Sequence, residues 1–180
     1  MLSDARHALR AATCDLHARV DQAFARFDLS AAPGYACALL AHWAATPVIE
    51  RAVDAATAWS GWSPRWPLLN DDLAELGLEQ SLPPAAPVLT GPAGWGAQYV
   101  MEGSRLGGRV LVGGVGARLP RRYFTAPARG GGWRGFQAEL QGAAEAGGKA
   151  WLEEAIEAAR RAFGVFERAA ERELETAGER

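Results

Sequence analysis

Histidine is scarce in this chain: His7, His17 and His42 are the only three. His17 is the one whose surroundings suggest chemistry. It lies beside an apolar stripe of Leu9, Thr13, Leu16, Val20, Phe24 and Phe27, which recur at spacings of three and four as one face of a helix does. From that edge an imidazole reaches an interior pocket, and neutral imidazole is the commonest metal ligand among side chains. The plain alternative is a packed or partly exposed histidine. Asp21, one turn on, has the spacing to hold the other ring nitrogen through a hydrogen bond, or it is a solvated neighbour. Arg10 precedes His17 by two turns on the same side of the helix. A guanidinium at a pocket mouth grips a carboxylate in two places, which lysine does less well.

The second unusual feature is glycine inside a helical pattern. The segment GWGAQYVMEGSRLGGRVLVGG places Gly103, Gly107 and Gly108 between blocks that read as helix. Each interior glycine costs about 1 kcal/mol relative to alanine, and this chain uses alanine freely elsewhere. Gly103 and Gly107 are four apart and share a face. A face without side chains admits something close to the backbone, either a flat cofactor or a neighbouring helix.

Other motifs fall away. GGVG at 113–116 does not follow a strand in the dinucleotide pattern, and no phosphate-loop lysine is present. Cys14 and His17 have C-x-x-H spacing without a second pair, which argues against zinc. Cys14 and Cys37 make no disulfide framework and suit a reduced compartment with both thiols buried. Neither has the acid–base partners of a thiol nucleophile.

The elements that must position these residues are helical. The spacing predicts helices over 3–27, capped by Ser3 or Asp4, and over 33–59, with Pro47 kinking or splitting the second. A Trp- and Pro-rich turn at 60–67 precedes a short helix at 70–76. Four prolines mark 81–92 as a surface connection. A third long helix is expected over 94–119, then an irregular basic stretch at 118–132 holding Arg118, Arg121, Arg122 and Arg129. Short and long helices follow at 133–141 and 148–176, the latter with Trp151, Ala155, Ala159, Ala162, Phe163 and Phe166 on one face. VLVGGV at 110–115 could form a strand, but its neighbours read as helix. No segment sustains alternation of period two, so the fold class is all-α, in one domain over 1–180.

Composition sets the outer limits. The chain has 180 residues and a formal charge of −2, with 38 alanines, 21 glycines and a single lysine against 18 arginines. That balance excludes a generally basic nucleic-acid binder but leaves room for an arginine patch that holds a small anion. It also makes any single arginine weak as a signal. No run of 18 apolar residues is present to span a membrane, and the N-terminus lacks a signal-peptide core. The expectation is a soluble, cytoplasmic protein.

Taken together, three blocks resemble the haem oxygenase family, in particular its bacterial branch found with bacteriophytochromes. LRAATCDLHARVD (9–21) resembles the proximal-helix signature, YVMEGSRLGG (99–108) the glycine-rich distal helix, and WLEEAIEAARRAFGVFE (151–167) the last long helix. Their order matches and the resemblance spans nearly the whole chain. It implies a multi-helical bundle with haem between the proximal and distal helices. His17 would be the iron ligand and Asp21 its hydrogen-bond partner. Arg10, Arg134 and Tyr99 would meet the propionates. Gly103 and Gly107 would let the distal backbone approach the haem face, Gly108 would continue that surface, and Phe163 would form an apolar wall. Animal-type members carry aspartate after the first distal glycine. Here that position is Ser104, which agrees with the bacterial branch and leaves proton delivery to Ser104, Arg105 or water.

The implied reaction opens haem to biliverdin with oxygen, releasing iron and carbon monoxide. Haem is cofactor and substrate. Electrons would come from a reductase or ferredoxin docking on the basic 118–129 side, and a bacteriophytochrome would be the acceptor of biliverdin. A haem carrier of the same fold, or a helical interaction module whose glycines serve packing, are the competing readings.

Overall fold

The computed structural model describes residues 4–84 and 86–178. Its elements are α1 (Ala5–Phe24), α2 (Ala32–Glu50), α3 (Trp66–Glu75), α4 (Gly91–Leu111), α5 (Arg122–Thr125) and α6 (Gly132–Gly178), with a 3-10 turn at Val112–Gly114. Among the described residues there is no strand, only one isolated bridge between Val53 and Leu89. The fold is all-α, as the period of the apolar residues predicts.

α1 starts at Asp4, whose side chain accepts the His7 N–H at 3.0 Å. Of the two expected caps, Ser3 lies outside the described residues. α2 carries Pro33 in its first turn and Pro47 in its last. It ends at Glu50, nine residues short of the expected Trp59. Pro47 removes a donor from the final turn. Beyond it, the Asp54 side chain accepts the Ala56 N–H at 3.0 Å and closes a turn instead. α3 starts four residues earlier than expected, because Pro67 suits a first helical turn.

α4 stops at Leu111 instead of continuing to 119. The chain tightens into the 3-10 turn and leaves through Gly116, whose N–H bonds the Leu29 carbonyl at 3.1 Å. The irregular 118–132 stretch contains α5, a single turn that sequence reading misses. Its first N–H groups are taken by Asp72 of α3, at 3.1 Å from Arg122 and 2.9 Å from Tyr123, a partner fifty residues away. The two expected C-terminal helices form one element, α6, broken at Gly148. There the backbone has φ 77°, which only glycine adopts without strain.

α6 is the central support. Ala155, Ala158, Ala159, Ala162, Phe163 and Phe166 are buried on it, and α1, α2 and α4 pack along its length. α1 and α4 share this support without extensive contact with one another, so a space remains between them. The expectation that both thiols are buried is overturned: Cys14 is exposed and Cys37 only half-buried. Cys14 is one residue, about 100° of helix rotation, from the buried Thr13, and this turns it out of the core.

Candidate functional site

The space between α1 and α4 is a cavity of about 480 Å³, within the roughly 300–1,000 Å³ typical of small-ligand sites. α1 contributes Arg6, Arg10, Thr13, Cys14, His17, Val20, Asp21 and Phe24. α4 faces them with Tyr99, Val100, Gly103, Ser104, Leu106, Gly107, Gly108 and Leu111. His42 of α2, Phe124 of α5, and Trp133, Phe163 and Phe166 of α6 complete the wall. Nine of the eleven residues that the sequence singles out for the site therefore line one cavity.

The glycines of α4 answer the question their spacing left open. A Cβ on Gly107 would meet no atom within 4 Å, and one on Gly103 would touch only the far edge of Trp133, at 4.0 Å. No neighbouring helix occupies that face, so close helix packing does not explain these two. Gly108 differs: a Cβ there would lie 3.1 Å from the Phe124 ring, so it seats α4 on α5. The face cleared by Gly103 and Gly107 opens directly onto the cavity.

Across it, His17 Nδ1 lies 3.1 Å from the Asp21 carboxylate. That engages one ring nitrogen and leaves Nε2 available to a ligand. The imidazole also meets the Phe163 ring edge-on, with centroids 5.6 Å apart. Towards one end of the cavity, Tyr99 lies near Thr13, Arg6 and Arg10. Burial raises the Tyr99 phenol above its ordinary value, which Thr13 and the two arginines partly oppose. The phenol is therefore a neutral donor, and this end of the cavity is cationic. Arg6, which sequence reading left out, is one helical turn before Arg10 and lines the same wall.

Two expected groups lie elsewhere. Arg134 is exposed and lines a neighbouring depression of about 460 Å³ with Arg105, Arg109 and Arg129. Arg105 is also turned from the cavity. Its Nε bonds Glu102 at 3.0 Å, while its Nη atoms donate to the carbonyls of Ser63 at 2.7 Å and Pro127 at 3.3 Å. The basic 118–129 stretch is partly consumed by structure. Arg121 donates to the Val115 and Gly116 carbonyls, and Arg122 pairs with Asp72 and Glu75.

Behind the α4 face lies a polar cluster drawn from four separate stretches of the chain. Arg65 is 1% exposed and reaches under α4, donating to the Met101 carbonyl at 3.0 Å and to Ser104 Oγ at 3.3 Å. Glu50 is buried beside it and accepts the N–H groups of Arg65 and Trp66 at 2.6 and 2.8 Å. Burial raises the Glu50 carboxyl, and the Arg65 charge opposes that shift. Tyr123 presents its hydroxyl 2.9 Å from Thr46 Oγ1 and 3.3 Å from His42 Nδ1. His42 is enclosed by Phe24, Phe124 and Phe166. Burial, assisted by the Arg65 charge, brings it down to about 3, so it is neutral. The one signal for this cluster in the sequence is the i, i+4 spacing of His42 and Thr46 on α2.

The chain is 41% identical over 92 residues to a protein named heme oxygenase from Xanthomonas campestris pv. campestris (strain 8004). The match covers 46% of this chain and 54% of the relative, so the chain spans about half the length of the curated relative it matches. No family model matches the chain, and no solved structure matches it.

Proposed function

We propose that this chain binds haem between α1 and α4 and is a haem oxygenase of the bacteriophytochrome-associated type. It would open haem to biliverdin with oxygen and external electrons, releasing iron and carbon monoxide. The observation that carries this reading is the pair Gly103 and Gly107: two helix-interior glycines whose missing side chains face an open cavity opposite a histidine. The partial match to a relative named heme oxygenase supports the same assignment.

The residues suit a flat, anionic group that carries iron. His17 offers Nε2 to the metal while Asp21 holds Nδ1. Arg10 and Tyr99, joined by Arg6, form the cationic end that receives the propionates. Phe163 supplies the apolar wall, and Gly103, Gly107 and Gly108 form the surface on the opposite side. Haem, when bound, supplies both the iron that activates oxygen and the ring that is opened. The chain's own part is placement: the His17 imidazole on one face, and on the other a strip of α4 that Gly103 and Gly107 leave without side chains. Arg134 leaves the set of propionate partners, because it lines the adjacent depression.

Electrons come from a separate reductase or ferredoxin. Arg109, Arg129 and Arg134 have no ion pair among the described residues, and they gather beside the cavity, sharing the Leu106 and Trp133 walls with it. That cluster supports docking there better than a surface spread along 118–129 does. The acceptor of biliverdin would be a bacteriophytochrome.

The test is a hemin titration followed by ascorbate under air. A Soret band that gives way to the biliverdin spectrum is the expected result. A Soret band that persists would leave a haem carrier, and no band at all would overturn the reading. His17→Ala should lose the axial-ligand signature and efficient turnover.

A further inference from the structure

Beside the main cavity, the depression of about 460 Å³ that holds Arg134 is itself large enough for a small organic ligand. Its lining joins the end of α4 to the start of α6. It carries four arginines, Arg105, Arg109, Arg129 and Arg134, against one carboxylate, Glu102. That carboxylate is already consumed. Glu102 and Arg105 are 3% and 5% exposed and pair at two points, 3.0 and 3.2 Å. Arg105 gives two further N–H groups to the Pro127 and Ser63 carbonyls, so four of the five donors of a guanidinium are bonded. The pair is a neutral, fixed base. The charge that remains belongs to Arg109, Arg129 and Arg134, all exposed and without an ion pair among the described residues.

Other surface arginines do find carboxylates: Arg19 pairs with Glu167, Arg122 with Asp72 and Arg160 with Glu157. Of the three around the depression, Arg109 has a local reason for its place. It sits in the last turn of α4, and a cation there faces the negative end of the helix dipole. Arg134 has no such reason. It is the third residue of α6, in a first turn that holds no acidic residue, where the helix is positive and a cation is repelled. Arg129 brings a like charge to the same lining. Cations gathered at the positive end of a helix oppose one another until an anion is seated among them. The opposite character is supplied by Leu106 and Trp133, which this depression shares with the main cavity and which give it an apolar side. A hollow of this kind encloses a small body, whereas a protein surface reaches only the arginine tips at its rim.

We infer that the depression is a second binding site, for a compact organic anion that carries two or more oxyanion groups on an apolar body. Arg109, Arg129 and Arg134 take the charges, the Glu102–Arg105 pair forms the base, and Leu106 and Trp133 pack against the body. A ligand here competes with an acidic protein for the same arginine tips. The site is separate from the main cavity, and its assignment does not rest on the haem reading.

The probe is benzene-1,3,5-tricarboxylate, titrated calorimetrically into the haem-free protein. One molecule per chain should bind. Benzoate, with a single charge, and pyrophosphate, with no apolar body, should each bind at least about tenfold more weakly. Arg129→Gln and Arg134→Gln should each weaken the tricarboxylate about tenfold, the loss of one charge-assisted hydrogen bond. Arg118→Gln removes the same charge from an exposed position outside the depression and should change affinity less than about twofold. Arg134→Gln should leave the melting temperature of the ligand-free chain unchanged or higher, since the cation it removes is repelled there. Absence of saturable binding overturns the site and leaves the three arginines to a protein surface. An equal loss in Arg118→Gln reduces the effect to net charge and overturns it as well, and pyrophosphate binding as tightly as the tricarboxylate overturns the apolar body. Hemin added to the tricarboxylate complex should bind beside it, and one-for-one displacement would place the probe in the main cavity and overturn a second site. If the wild type takes up no hemin, the haem reading falls, and the arginine variants still decide this site.

Discussion

The two halves of α4 use the same residue type for opposite ends. In the first half Gly96 is buried, and a Cβ there would collide with the Ala155 carbonyl of α6. Gln98, one turn from Gly94, donates to the Gly94 carbonyl at 3.0 Å and accepts the Trp59 N–H at 3.0 Å, tying that half into the core. In the second half Gly103 and Gly107 meet empty space, and Leu106, Val110 and Leu111 are exposed around them. One helix is closed against its neighbour at one end and opened onto a cavity at the other. Glycine content alone does not distinguish these uses. What distinguishes them is the environment into which a methyl group would project.

The largest test of that contrast is Gly96→Leu. Overpacking a tight interface costs about 1–3 kcal/mol, and more where the obstacle is backbone. Denaturant unfolding should show a loss of about 3 kcal/mol or an unfolded chain, because Ala155 cannot yield without moving α6. Gly107→Leu should do the reverse. The side chain has room, so stability should stay within about 0.5 kcal/mol of wild type or rise. Hemin affinity should fall about 100-fold, since the leucine fills the space between α4 and His17. Equal losses of stability in both variants would break the contrast.

A third prediction asks how dry the wall behind the open half is. His42 is brought down to about 3 when folded, whereas an unfolded histidine protonates near 6.5. Between those values the unfolded chain binds the extra proton. Stability is therefore complete above about pH 6.5 and is lost as pH falls, at about 1.4 kcal/mol per pH unit for one proton. Unfolding measured from pH 6.5 to 5 should show this slope in the wild type and a slope shallower by one proton in His42→Gln. Parallel slopes would mean that water reaches the imidazole.

How much of this was legible in the sequence follows from the range of each interaction. Helices near 5–24 and 91–111 and the grouping of Arg10, His17 and Asp21 on α1 follow from local period and from positions one or two turns apart, whereas Tyr99, on α4, joins them through the packing of α1 and α4 on α6. α5 was invisible because its N–H groups are held by Asp72, far away in sequence. Arg134 was misplaced for the same reason: its position depends on how the glycine-rich turn at 130–132 enters α6, where three residues have positive φ. The buried pair Glu50 and Arg65 has no sequence signature, because its two members are fifteen residues apart on different elements. Spacing showed that Gly103 and Gly107 share a face. Which partner that face meets depends on the packing of α1 and α4 on α6.

The smallest expected effect tests that last point most directly. A glycine kept for helix packing is worsened by any Cβ, whereas one that faces open space pays only the entropic penalty of being glycine. Gly103→Ala and Gly107→Ala should therefore each raise the stability of the haem-free protein, by about 0.5–1 kcal/mol. The two sites are one turn apart but share no partner across the cavity, so their gains should add within about 0.5 kcal/mol. The same substitutions should weaken hemin binding or turnover, since a methyl group at either position stands where the planar group must approach. Stability gained while haem chemistry is lost is the signature of a surface left bare for a ligand. If both alanines destabilise the haem-free protein, α4 packs against something on that face after all, and the open half of the helix is no different from the closed one.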